Sequence, residues 1–125
     1  MTKIFVVEDN EMNLDMITRR LVRSGFEVAS ATSGAGLVER LRAERPDLVL
    51  LDLGLPEVDG FAVARALRGD LQLRDLPIIA LTAHALTTDR DRALEAGCDD
   101  FTTKPVDFAN LLGRIRALLE RGAHG

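Results

Sequence analysis

Residues 48–52 read LVLLD, four apolar side chains in a row and then a carboxylate, followed by Leu53, Gly54, Leu55 and Pro56. A short run without polar alternation is what a strand buried on both faces of a parallel sheet looks like. Pro56 has no N–H to give to a ladder, so the strand is expected to end at or just past Asp52. That places Asp52 at the carboxyl edge of the sheet, where open α/β sheets bind their ligands. A single carboxylate there has two readings, a functional group or a cap for a backbone N–H, and the stretch alone does not separate them.

The rest of the chain repeats the pattern. Residues 3–7 (KIFVV) read as a first buried strand, and the polar turn EDNEMN follows, in which Asn10 or Asp9 can cap a helix from about Met12 to Ser24 that Gly25 stops. EVAS at 27–30 is a weaker strand, and a helix from about Gly34 to Glu44, ending before Pro46, leads into the central strand. Asp59 is placed to cap a helix over 60–68. PIIAL at 77–81 is a fourth buried strand closed by Thr82, and a helix over about 88–96 stops at Gly97. A short strand near 100–103 ends at Lys104 and Pro105, and a last helix spans about 107–121. In that helix Phe108, Leu111, Leu112, Ile115, Leu118 and Leu119 fall on one face. Five βα units predict a parallel sheet with helices on both faces.

The chain has 125 residues, enough for one domain with its own core, expected over 1–121 with a short 122–125 tail and no output domain. Sixteen Lys and Arg against 20 Asp and Glu give a net charge of −4, which argues against nucleic acid as a partner. No stretch approaches a membrane span, and the apolar run Ile4 to Val7 is too short for a secretion signal, so a cytoplasmic protein is expected. Cys98, the single cysteine, reads as a packed small hydrophobe.

With the strands placed, Glu8 and Asp9 follow the first, Asp52 ends the third, Thr82 the fourth and Lys104 the fifth. Taken one at a time, these residues also read as helix caps, surface charges, a strand threonine and an ion-pair partner. Together they bring five polar groups to one sheet edge. Three carboxylates at close range repel by several kcal/mol per pair, which points to a cation among them. Hard oxygen ligands with room for waters suit Mg²⁺.

The blocks VEDN at 7–10, LLDLGLPEVDG at 50–60, ALTAHA at 80–85 and GCDDFTTKP at 97–105 resemble, in order and spacing, the receiver domains of two-component response regulators. The resemblance covers the whole chain and is nearest in style to single-domain, DivK-like regulators and the receivers of hybrid kinases. It implies a flavodoxin-like doubly wound sheet of five strands in the order 2-1-3-4-5 with five helices. It also implies phosphorylation of Asp52 by a histidine kinase or histidine phosphotransfer domain, and switched binding of a downstream protein, by a monomer or weak dimer. Mg²⁺ would be held by Glu8, Asp9, Asp52 and the Gly54 carbonyl. Thr82 and Lys104 would contact the phosphoryl oxygens, the Lys104–Pro105 peptide would be cis, and Phe101 would be the switch aromatic. A Phe there, lacking a hydroxyl, is expected to lean inward before phosphorylation; its other reading is a plain core residue.

Two further expectations come from geometry. If Leu14, Ile17, Thr18 and Leu21 form the buried side of the first helix, Met12 and Met16 face solvent beside Arg19 and Arg23. Two exposed Met at that spacing suit the docking of a partner helix, against the alternative of scattered surface methionine. Gly54 and His84, two residues past Asp52 and Thr82, are placed to tune dephosphorylation, Gly54 by leaving the pocket open and His84 by guiding water, unless His84 is a solvated loop residue.

Other classes fit less well. A metal-dependent phosphohydrolase would have a second acid at position 54 and a cap domain for substrate, and turnover of small phosphate esters would reveal one. A docking domain that is never phosphorylated would lack Asp52, Thr82 or Lys104, and all three are present.

Overall fold

A computed structural model of the chain describes residues 1–55, 58–83 and 87–124. The elements alternate without exception: β1 (Lys3–Val7), α1 (Glu11–Arg23), β2 (Glu27–Ala31), α2 (Leu37–Glu44), β3 (Leu48–Asp52), α3 (Gly60–Gly69), β4 (Ile78–Thr82), α4 (Thr87–Glu95), β5 (Asp100–Thr103) and α5 (Phe108–His124). All strand pairs are parallel, and the sheet order is β2-β1-β3-β4-β5. This is the doubly wound architecture expected. Among the described residues no helix is long and apolar enough to cross a membrane.

The continuous apolar strands serve two cores because successive side chains point to opposite faces. Phe5, Val7, Val49, Leu51, Ile78 and Ala80 pack on one face against Leu37 and Leu41 of α2, Phe61, Ala64 and Leu67 of α3, and Ala93 and Ala96 of α4. Ile4, Val6, Leu48, Leu50, Ile79 and Leu81 pack on the other against Ile17 and Leu21 of α1 and Leu111, Ile115 and Leu118 of α5. β2, an edge strand, has no fully buried residue, which is why its sequence signal is weak. Cys98 lies in the first core, where burial pushes its thiol up to about 11, so it stays a neutral packed group at physiological pH.

Helix ends differ from the sequence expectation where backbone geometry intervenes. α2 begins at Leu37 and not near Gly34, because Gly36 adopts a left-handed conformation (φ 64°) and forms the cap without a side-chain bond. Asn10, and not Asp9, caps α1 by accepting the Asn13 N–H at 2.9 Å. Asp59 caps α3 as expected, through the Phe61 N–H at 2.9 Å. The last helix runs to His124, three residues beyond the periodic pattern.

Two contacts set α3 in place. A Cβ built on Gly60 would lie 2.7 Å from the Leu53 Cα, so the start of α3 rests directly on the chain leaving β3. At its other end the Arg68 guanidinium donates to the carbonyls of Gly97 (2.7 Å), Arg74 (3.0 Å) and Leu76 (2.6 Å) and to Asp99 Oδ2 (2.5 Å). Asp99 Oδ2 also accepts the Ile78 N–H at 2.8 Å. Arg68 thereby ties together the segments that enter β4 and β5. Its stem fills the space over Gly97, whose φ of +109° and missing Cβ are both needed.

Candidate functional site

Asp52 is the last residue of β3, paired across the sheet with Leu81, and is buried. Its two oxygens have different partners: Oδ1 accepts the Gly54 N–H at 2.7 Å, and Oδ2 accepts the Lys104 ammonium at 2.9 Å. Lys104 arrives from the other side of the sheet's edge because β5 ends one residue before it and its own N–H bonds the Thr82 carbonyl at 2.7 Å. The Lys104–Pro105 peptide is cis, as expected. Thr82 is the buried last residue of β4, in register with Thr103.

Glu8 follows β1, held there by its own N–H to the Ala31 carbonyl at 3.1 Å, and its side chain has no solvent exposure. Asp9 beside it is exposed. Glu8, Asp9 and Asp52 each bring a carboxylate oxygen within 4.8 Å of the others. The Lys104 ammonium lies 3.1 Å from Glu8 Oε1 and 2.9 Å from Glu8 Oε2. Oε2 is fully buried and is partnered through this ion pair with the Lys104 ammonium, without an aligned hydrogen bond. A buried carboxylate oxygen held by charge alone is a position that a divalent cation can also fill. The three acids therefore fit Mg²⁺ by donor chemistry, with Asp9 on the open side.

Burial is the main influence on Glu8 and raises its pKa above the ordinary carboxylate value, with the charge of Asp52 adding to it and the Lys104 bond opposing it. For Lys104, burial pulls downward but the bonds to Glu8 and Asp52 prevail, so its pKa is raised and the ammonium stays charged. The edge is thus a set of acids around one fixed cation. A groove of about 730 Å³ lies at the opposite, amino edge of the sheet, lined by residues such as Thr2, Asp47 and Pro77, and none of the polar edge groups borders it.

The pattern of the response regulator receiver domain family matches residues 4–116. The chain belongs to that family. It is thus a receiver of a two-component system, a signalling protein rather than a metabolic enzyme. This receiver is 37% identical over 120 residues to the polar-differentiation response regulator DivK of Brucella ovis, covering 95% of this chain and 98% of that one. Among solved structures it is similar to the receiver domain of the sensor histidine kinase PA1611 of Pseudomonas aeruginosa, which holds a magnesium ion in its active-site cleft (35% identity, TM-score 0.87, 95% and 98% of the two chains). It is also similar to the BeF3-activated receiver domain of Klebsiella pneumoniae RstA (36% identity, TM-score 0.87, 94% and 98%).

The sequence-predicted residues Glu8, Asp9, Asp52, Gly54, Thr82 and Lys104 all come from loops and strand ends at this receiver's carboxyl edge. Phe101 lies in β5, half-buried against the core that α3 and α4 cover. Met12 (83% exposed) and Met16 (38%) are on the outer face of α1 as the helical spacing predicts. His84 lies outside the described residues. Sequence reasoning missed Asn13, whose side-chain amide approaches Glu8 Oε1 at 3.4 Å. Its only sequence signal is its place three residues after the cap.

Proposed function

We propose that this receiver is a phosphoacceptor of a phosphorelay, phosphorylated on Asp52. The observation that carries the reading is the state of Asp52: a buried carboxylate held between the Gly54 N–H and the Lys104 ammonium, with the oxygens of Glu8 and Asp9 close by. One Asp52 oxygen attacks the phosphorus of a phosphohistidine on a kinase or phosphotransfer protein. The P–N bond breaks, and its electron pair returns to the imidazole of the donor. Glu8, Asp9, Asp52 and the Gly54 carbonyl would hold Mg²⁺, which supplies charge neutralisation for the transferring group. Lys104 neutralises the same oxygens from the opposite side, and the Thr82 hydroxyl bonds them. The magnesium in the related PA1611 receiver and the BeF3 activation of the related RstA receiver support this assignment.

The consequence is a change in protein binding. Thr82 moves toward the phosphoryl group and Phe101, already leaning inward, follows with a small movement, altering the face that the downstream partner reads. Met12 and Met16, next to the site on α1, form the docking surface for the donor's helices. Gly54 and His84 set the lifetime of the phosphorylated form. The protein works in the cytoplasm, with its domain over 1–121.

The test is incorporation of phosphate from acetyl phosphate with Mg²⁺. Asp52→Asn should take up none, because an amide is not a nucleophile and is a poorer metal ligand. Labelling that persists in this variant would remove Asp52 as the acceptor.

A further inference from the structure

We propose that Asn13, in the first turn of α1, is a positioning residue that orients Glu8 for the divalent cation; the inference rests on the metal-dependent reading above. Glu8 Oε1 is surrounded by three donors: the Asn10 N–H at 3.3 Å, the Asn13 side-chain nitrogen at 3.4 Å and the Lys104 ammonium at 3.1 Å. Glu8 Oε2 is fully buried and has neither asparagine donor, only the Lys104 ammonium at 2.9 Å as an ion-pair partner. An ionised carboxylate only accepts, so the nitrogen end of the Asn13 amide is the end that faces it.

The arrangement is a variation on a common helix start. In a capping box, the acid three residues after the cap reaches back to the N–H of the cap residue. Here Asn10 is the cap and Asn13 the residue three later, but the carboxylate that accepts the Asn10 N–H is Glu8, two residues before the cap. Asn13 is left free to use its amide on that same carboxylate. The two helix-start donors on Oε1 turn the carboxylate so that Oε2 faces the cationic side of the site, where the Lys104 ammonium lies at 2.9 Å.

Lys104 cannot do this alone, because its ammonium also serves Asp52 at 2.9 Å and is pulled toward the reacting carboxylate. Asn10 and Asn13 belong to the helix start and keep Glu8 in place whatever Lys104 does. Groups that hold a metal ligand by hydrogen bonds commonly govern affinity in this way.

Mg²⁺ affinity measured by titration calorimetry on metal-stripped protein tests the assignment. Asn13→Ala should weaken Mg²⁺ binding by about tenfold, the low end of what losing such a supporting group does. Asn13→Gln, which keeps the donor on a longer stem, should recover most of the loss, and the Asn13 side-chain amide resonances of the wild type should shift as Mg²⁺ is added. Should Asn13→Ala fail to fold, Asn13→Ser is also too short to reach Glu8 and carries the same expectation. Wild-type affinity in the shortened variant, or an equal loss in Asn13→Gln, would overturn the role of Asn13 while leaving the metal site standing. A wild-type protein that binds no Mg²⁺ at millimolar concentrations would overturn both.

Discussion

Glu8 is a buried carboxylate, and its burial carries an electrostatic cost. Burial raises its folded pKa above the unfolded value of about 4.3, so the folded chain holds this proton more tightly than the unfolded one does. The fold therefore loses stability as pH rises through the interval between the two values, and the penalty is complete above the folded pKa. Without metal, Glu8→Gln should unfold at a higher temperature than wild type at pH 7, and the gap should shrink toward pH 4. A gap that does not depend on pH would place the cost elsewhere. Gly60 carries a steric constraint of the same local kind. Gly60→Ala would set a methyl group 2.7 Å from the Leu53 Cα, and the resulting backbone shift should cost about 1–3 kcal/mol in urea denaturation.

At the scale of elements, α1 and α3 have separate duties. The inner face of α1 is closed by Ile17 and Leu21, so its outer face is open to carry Met12 and Met16 without cost to the core. Changing both to Ser should slow phosphotransfer from the donor protein and leave labelling by acetyl phosphate unchanged. A parallel fall in both reactions, or in neither, would separate these residues from docking. α3 is joined to the β4 and β5 side of the sheet by the bonds of Arg68. Arg68→Met keeps the stem over Gly97 but leaves three carbonyls and Asp99 without this donor, and should cost roughly 2–4 kcal/mol, read as a lower urea midpoint. A change below about 0.5 kcal/mol would show that water replaces the guanidinium freely.

For the whole molecule, the proposed metal binding would be linked to folding, because the three acids meet only in the folded chain. Mg²⁺ at ten times its dissociation constant should add about 1.4 kcal/mol, or roughly 3–6 °C in the unfolding midpoint of a domain of this size. That increment should vanish or fall sharply in Glu8→Gln. An increment of equal size in the variant would mean that Mg²⁺ stabilises the protein from another site. The opposing surface pairs behave conventionally: the Arg42 bond lowers the Asp70 pKa, and that stability is lost as pH falls. With the Arg42 guanidinium half-exposed and screened, the pair adds modestly on the acid side of the profile and not to the response to metal.

The sequence alone determined the strands, the helices and the edge at which chemistry collects. Period and length suffice for this, since a run of four apolar residues ending in Asp52 between turn residues reads as a buried parallel strand, and five alternating βα units have few ways to pack. Met12 and Met16 were legible for the same reason, a helix having only one side to bury. Other features belong to the tertiary structure. The start of α2 at Leu37 depends on Gly36 turning left-handed, a backbone choice made by packing and unmarked by any run of residues. The grip of Arg68 on Gly97 and Asp99 spans 29 and 31 residues of chain, and Lys104 reaches Glu8 across 96. No local pattern encodes such distances. The asymmetry of Glu8, with both helix-start donors on one oxygen and the other facing only the Lys104 ammonium, arises only when β1, α1 and the end of β5 meet, because hydrogen bonding is settled by three-dimensional proximity and not by residue type.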